Sequence, residues 1–321
     1  MRIVVMGAGG TGGYFGAKLS RAGLDVTFVA RGAHLAAIRE KGLRVRSAVD
    51  GEWTVRAPAV ERLDRRRPAD LVLFCVKSFD TEAAAEAIRP AIGPGTGVLS
   101  IQNGVDNEDR LERILGPGHV MGGVAQVFAT IGEPGVIDHG LLGRIIFGEM
   151  DGAKTERAER FLEACGRASI PAEISPDVRA ALWTKYVYLT AHAGMTALTR
   201  CPAKIIREIP STRQMYRRLL EEMAALARAE GAGLDAGVVD ACLQTLDSLG
   251  PGAYSSLHHD LIHGRRLELE ALHGHAVRLG QRHGIATPML FAVTRLFAPI
   301  STDRPRSGPE PTVIVASPVL Y

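Results

Sequence analysis

With 321 residues, 46% of them hydrophobic and 23% charged, the chain is long enough for two domains with their own cores and has an ordinary globular make-up. A net charge of +3 without a dense basic face argues against nucleic acid; the run Arg62, Arg65, Arg66 and Arg67 reads as a solvated loop. Cys75, Cys165, Cys201 and Cys242 stand apart with no C-x-x-C pair, which excludes a disulfide framework and structural zinc and fits a reducing cytoplasm. No apolar run is long enough to span a bilayer, and the N-terminus already reads as a core strand, so no leader is expected before it.

The first thirty-one residues carry the strongest pattern. An apolar strand over Ile3–Met6 runs into Gly7-Ala8-Gly9-Gly10-Thr11-Gly12, a helical stretch follows at once, and a second apolar strand ends at Arg31. G-x-G-x-x-G between strand and helix is the fingerprint of a dinucleotide-binding turn. Gly7 permits the tight turn, Gly9 lets the backbone approach a pyrophosphate, Gly12 lets the helix pack closely, and the helix N-terminus offers free N–H groups. At the end of the second strand, where NAD-binding units carry an acid, this chain has Val29-Ala30-Arg31. A guanidinium without a competing carboxylate favours NADP(H).

The chain then predicts a helix over 33–41 and a β-hairpin formed by 43–46 and 53–56 around Asp50-Gly51. A buried parallel strand follows over 70–76, then an Ala-rich helix over 81–88 and another buried strand over 98–102. Strands over 120–128 and 144–147, with a turn at Glu133-Pro134-Gly135, complete the sheet. Near residue 170 the period becomes helical. Ser175-Pro176-Asp177 reads as a helix start, with Ser175 as the cap. Further helices are predicted over about 211–230, 237–249 and 256–283. The expected fold is α/β: a Rossmann-type dinucleotide-binding domain over 1–172, followed by an all-α substrate and catalytic domain over 173–300. Residues 301–321, rich in Pro, Ser and charge, read as a flexible tail.

Lys185 stands out in the helical half. Val178, Leu182, Lys185, Leu189 and Ala193 fall on one helical stripe. A desolvated lysine there would have a lowered pKa suited to proton transfer; a lysine snorkelling from the stripe's edge fits the pattern as well. Ser255, Ser256, Asp260 and Glu268 lie on the late helical stretch, where 260, 264 and 268 share a face and Gly264 would leave room for a ligand. A carboxylate facing Lys185 would complete an acid–base pair. His258, His259 and His263 lack the completing ligands of a metal motif, and no metal is expected. Lys77 and Asn103 sit just beyond the carboxyl ends of two predicted parallel strands, the edge at which open α/β sheets bind ligands.

Taken together these motifs resemble the ketopantoate reductase (2-dehydropantoate 2-reductase) family over nearly the whole chain except the tail. The matching segments are GAGGTG, Arg31, Lys77 in CVKSFD, Asn103 in IQNGVDN, Lys185 in ALWTKYVYL, Ser256, Asp260 and Glu268 in SSLHHDLIHGRRLELE, and HGIATP over 283–288. The resemblance implies reduction of a 2-oxoacid ketone by NADPH in a cleft between the two domains, making pantoate for pantothenate synthesis. It assigns Lys185 as general acid oriented by Glu268. It assigns the glycine loop, Arg31, Lys77 and Asn103 to the cofactor, and Asn103, Ser256 and Asp260 to the substrate. A homodimer through the helical domain is compatible with it. The chain departs from the family where two asparagines usually follow the lysine; here Leu189 and Ala193 stand, and a third falls near Ala253. Thr190, His192 and Thr196 are the available polar replacements. The departure leaves two rivals open: a reductase of a more apolar oxoacid, and a non-catalytic NADP-binding sensor. Retention of Lys185 and Glu268 argues against the sensor.

Overall fold

Alternate residues of the first strand face opposite ways, and both ways are buried. Ile3 and Val5 join one apolar core while Val4 joins another with Val72, Phe74 and Val98. A strand buried on both faces needs a helical layer on each side. The computed structural model, which describes residues 1–64 and 67–301, supplies them.

In chain order come β1 (Arg2–Met6), α1 (Gly10–Arg21), β2 (Asp25–Val29), α2 (Gly32–Lys41), β3 (Leu43–Ser47), β4 (Gly51–Val55), β5 (Ala59–Val60), β6 (Leu71–Phe74), α3 (Thr81–Ile88), β7 (Gly97–Ser100) and α4 (Asn107–Leu115). A long hairpin follows, β8 (Val120–Glu133) and β9 (Val136–Glu149), then α5 (Glu156–Arg167) and β10 (Ala172–Ile174). The remainder is helical: α6 (Val178–Thr199), α7 (Ala203–Glu208), α8 (Pro210–Ala229), α9 (Val238–Ser248), α10 (Ser256–Ile262), α11 (His275–His283) and α12 (Pro288–Ser301). Among the described residues no helix is long and apolar enough to cross a membrane. The expected tail lies outside the described residues from 302 onward, as do Arg65 and Arg66 of the basic run.

All described strands join one ten-stranded sheet in the order β4-β3-β9-β8-β7-β6-β1-β2-β5, with β10 beside β9. The run β5-β2-β1-β6-β7-β8 is parallel throughout, the doubly wound order of a dinucleotide-binding domain. The β3–β4 hairpin forms as expected and docks its β3 edge parallel to the first half of β9. The second half of β9 takes β10, so the sheet runs two residues past the expected boundary at 172.

Three expected details change. The strands over 120–128 and 144–147 are parts of two continuous fourteen-residue strands. Their middle is kinked by register shifts at Gln126/Val127 and Phe128/Ala129, which hides the alternation that a sequence pattern needs. The cap of α6 is Asp177, whose carboxylate accepts from the Ala180 N–H at 2.9 Å; Ser175 instead accepts from the Asp177 N–H at 3.2 Å. The expected helix over 256–283 is broken. α10 stops at Ile262, and Gly264 takes a left-handed φ of +63°, the usual stop after a helix. A π-helical turn over Glu270–Gly274 then leads into α11. Asp260 and Glu268 therefore do not share a helical face.

The glycine-rich start of α1 is shaped by the long hairpin as much as by the turn. A Cβ on Gly10 would overlap the Ala129 carbonyl oxygen of β8, and one on Gly13 would lie 2.7 Å from Ile137. Gly10→Ala is expected to cost about 1–3 kcal/mol in chemical denaturation, because the obstructing atom is backbone and yields little. Gly9→Ala, whose Cβ would meet nothing within 4 Å, is expected to leave stability within about 0.5 kcal/mol.

Candidate active site

The cofactor cradle has the shape its motif requires. Gly7 has φ +96°, and its N–H and that of Ala8 both donate to the Val29 carbonyl at 3.2 Å. A Cβ on Gly12 would overlap the Gly7 carbonyl oxygen. Helix α1 has no side-chain cap and no acid in its first turn, so its positive end is unopposed. With the open space over Gly9, these features fit a dinucleotide pyrophosphate. Gly10 serves packing against β8, and the motif alone does not separate that role from phosphate contact. Arg31 stands at the end of β2 with its side chain 77% exposed and paired with Asp80 at 2.8 Å. An exposed pair of this kind is weak.

The sheet edge and the helical half meet through Lys77. Its ammonium donates to Asp260 Oδ2 at 2.9 Å and to Glu268 Oε2 at 2.8 Å. Both carboxylates are buried. The second oxygen of Glu268 accepts from the Ser78 N–H at 3.0 Å. Beside this clasp the Arg266 guanidinium lies over the Phe79 ring at 4.2 Å. Burial works against the Lys77 charge, but Glu268 and Asp260 outweigh it and hold its pKa above the ordinary lysine value. The sequence paired Glu268 with Lys185 and gave Asp260 to the substrate; in the structure both carboxylates hydrogen-bond Lys77.

Lys185 comes off the face of α6 that leans on β8. Earlier on the same stripe, Val178 and Leu182 lie where a Cβ on Gly122 would touch them, at 3.1 and 3.2 Å. Among the described residues Lys185 has no hydrogen bond or ion pair. Glu268 acts on it by charge, not by contact. Desolvation lowers the Lys185 pKa to about 8, while Glu268 and Glu108 pull it upward. Glu108 was not singled out in the sequence; the structure places it in the first turn of α4. It is buried on α4 with Oε2 lacking any partner, and burial raises its pKa to about 7. Asn103 begins that turn, with its carbonyl accepting from Asn107 Nδ2 at 2.9 Å and its own side-chain amide unengaged among the described residues.

Ser256 is exposed at the first position of α10. The buried serine is Ser255, whose hydroxyl accepts from the His258 N–H at 3.1 Å and is bonded to Thr196 Oγ1 at 2.7 Å. Thr196 also donates to the His192 carbonyl at 2.7 Å, and Thr190 Oγ1 reaches the Leu272 carbonyl at 3.5 Å. Both threonines are thus spent inside the helical core. His192 is buried with Nδ1 unpartnered. His258 stacks on Tyr254 and His259 on His263, with ring centroids 4.1 Å apart in each pair. Among the described residues no group of three or more His, Cys, Asp or Glu is arranged to hold a metal.

This arrangement has counterparts. The family model described as ketopantoate reductase PanE/ApbA matches residues 3–152, and its C-terminal companion matches 177–301. The chain belongs to the ketopantoate reductase family. A 2-dehydropantoate 2-reductase of Halobacterium salinarum is 32% identical over 292 residues, covering 90% of this chain and 95% of that protein. The uncharacterized oxidoreductase YkpB of Bacillus subtilis is 28% identical over 294 residues, covering 91% and 96%. A crystal structure of a PanE/ApbA family ketopantoate reductase from Ralstonia eutropha superposes with a TM-score of 0.86 at 34% identity, over 94% of this chain and 98% of that one. A ternary structure of D-mandelate dehydrogenase with NADH and anilino(oxo)acetate shares the fold, with a TM-score of 0.87 at 23% identity, over 94% and 98%. Membership makes this chain an oxidoreductase that uses a nicotinamide dinucleotide.

Within the ketopantoate reductase frame, Lys77 couples cofactor edge and helical half. Lys77→Met would leave Glu268 without its cation and Asp260 with only the Arg265 guanidinium, 3.8 Å away. The expected loss is roughly 1–3 kcal/mol, less than for a fully buried pair because the Lys77 side chain is 42% exposed. The sign with pH follows from the raised pKa. The clasp contributes fully below about 10.5, the unfolded lysine value, and its contribution is lost as pH rises through the higher folded value. The denaturation midpoints of wild type and variant should therefore differ at neutral pH and converge at strongly alkaline pH; a constant gap at both would refute the pairing.

Proposed function

We propose that the enzyme reduces the ketone of a small 2-oxoacid, 2-dehydropantoate foremost, with NADPH, and that Lys185 is the general acid. The supporting observation is Lys185 itself: a desolvated ammonium with a pKa of about 8 and no hydrogen-bond partner among the described residues. A proton donor tied up in a salt bridge would have to break it first; this one is free to meet a substrate oxygen. The bound nicotinamide supplies hydride to the ketone carbon. Lys185 stabilises the growing negative charge on the ketone oxygen and gives it the proton, leaving an alcohol and a neutral amine. Glu268, fixed by Lys77 and the Ser78 N–H, keeps negative charge near Lys185 and so favours its reprotonation. The exposed Ser256 hydroxyl and the unengaged Asn103 amide are the donors assigned to the substrate. Asp260, neutralised by Lys77, holds the clasp beside them.

The deciding assay is NADPH oxidation by the purified enzyme with 2-dehydropantoate. Efficient turnover is expected; no turnover with cofactor bound would move the substrate to another 2-oxoacid. Lys185→Ala should lower kcat by about 10²–10⁴ with cofactor affinity retained, and undiminished turnover would overturn the role. Because the acid must be protonated, kcat should fall as pH rises through about 8.

Cofactor choice is assigned to Arg31. Arg31→Ala should weaken NADPH about tenfold and leave NADH nearly unchanged, as loss of a charge-assisted phosphate contact predicts. Equal effects on both would remove the assignment to the 2′-phosphate.

A further inference from the structure

His34 on α2 joins two segments that lie about a hundred residues apart in sequence. Its Nδ1 accepts from the Gly135 N–H, in the turn of the long hairpin, at 3.0 Å. A backbone N–H can only donate, so Nδ1 is unprotonated and the ring proton sits on Nε2. Nε2 lies 2.8 Å from the Ala8 carbonyl oxygen and therefore donates to it. Ala8 is the residue between the first two glycines of the loop.

That bond fixes a peptide plane. The carbonyl of Ala8 and the N–H of Gly9 belong to one trans peptide unit and point in opposite directions. Holding the Ala8 oxygen toward His34 turns the Gly9 N–H the opposite way, away from the ring. No backbone hydrogen bond takes up that N–H among the described residues. The Ala8 N–H is already anchored on Val29, so the residue is pinned on both sides.

The imidazole must be neutral to play this part, and its surroundings keep it so. Burial lowers the His34 pKa below its ordinary value, while the Ala8 carbonyl pulls it partly back. The neighbouring charges are engaged elsewhere. Arg31 pairs with Asp80, Arg39 donates to the Ala59 carbonyl, and Glu133 beside the hairpin turn pairs with Arg46, which also holds Asp138. Protonation would put an N–H on Nδ1 facing the Gly135 N–H, and that contact would become repulsive.

We propose that His34 is a positioning residue for the dinucleotide loop: its neutral, Nε2-protonated ring sets the Ala8–Gly9 peptide for the pyrophosphate and ties it to the hairpin turn. The inference rests on the glycine loop holding the cofactor. His34→Gln can place an amide N–H near the position of Nε2, toward the Ala8 carbonyl, but leaves the Gly135 N–H without its Nδ1 acceptor, and it does not titrate. His34→Ala removes both bonds.

The test is calorimetric titration of NADP⁺ into wild type and both variants between about pH 8 and pH 5.5, a range spanning histidine protonation. At the upper pH, His34→Ala is expected to bind about three- to tenfold more weakly, the scale of a lost hydrogen bond. Its kcat at saturating NADPH should match wild type, and His34→Gln, which keeps a donor for Ala8 but not the acceptor for Gly135, should bind between wild type and His34→Ala. The cofactor's own phosphate titrates equally in all three proteins, so the ratio of wild-type to His34→Gln dissociation constants isolates the imidazole. That ratio should climb several-fold below about pH 6.5. A flat ratio, or a His34→Ala protein that folds and binds like wild type, overturns the proposal. Should His34→Ala fail to fold, the ratio still decides. A wild type that binds neither NADP⁺ nor NADPH would instead refute the cofactor site on which the proposal stands.

Discussion

One ammonium bound by two buried carboxylates organises the centre of this molecule. Lys77 belongs to the sheet edge, Asp260 and Glu268 to the helical half, and each carboxylate would be costly to bury without its counter-ion. The pairing has consequences on both sides. It anchors the loop after β6, where Ser78 also donates to Glu268, against the chain that folds back after α10. It also occupies Glu268, so Lys185 experiences that charge at a distance and keeps its ammonium uncommitted. A lysine hydrogen-bonded directly to Glu268 would be firmly held as a cation and slower to release its proton. Two lysines in one site thus acquire opposite characters from their surroundings: one raised by charge, one lowered by burial.

The glycine loop meets a second constraint. It must leave backbone N–H groups clear for an anion, and it must let α1 press against the long hairpin. Gly9 meets the first need, Gly10 and Gly13 the second, and His34 links the loop to the hairpin's turn. The fourteen-residue strands β8 and β9 are thereby tied to the glycine loop, although nothing in their own sequence resembles a binding motif.

Several site features were readable before any fold was known because they are local. The strand–turn–helix at 3–21, Arg31 at a strand end, and Lys77 and Asn103 beyond buried strands depend on short-range periodicity and on glycine's freedom. So does Lys185 on an apolar stripe. The reading went astray where a helix had to be continued or a partner chosen. Gly264 was read as space on a helical face, but it ends the helix. Ser255 and Ser256 look alike in the sequence; the fold buries Ser255 as the cap of α10 and leaves Ser256 exposed. Glu268 was paired with Lys185, since sequence spacing says nothing about which cation a carboxylate meets after the chain folds back. Glu108 and His34 were passed over because an acid in a first helical turn and a histidine on a short helix are ordinary in isolation.

By itself the sequence determined the two-part architecture and the glycine-rich strand–turn–helix at its start, and it marked Lys185 as a lysine on an apolar stripe, since each is written in a period or a local motif shorter than about one helix. Tertiary structure alone decided that Lys77 takes both buried acids and that Lys185 is left unpaired. It alone decided that a histidine braces the loop against a hairpin a hundred residues away. Those outcomes depend on which charges share a desolvated volume, and that volume exists only once the sheet edge and the helical half have closed on each other.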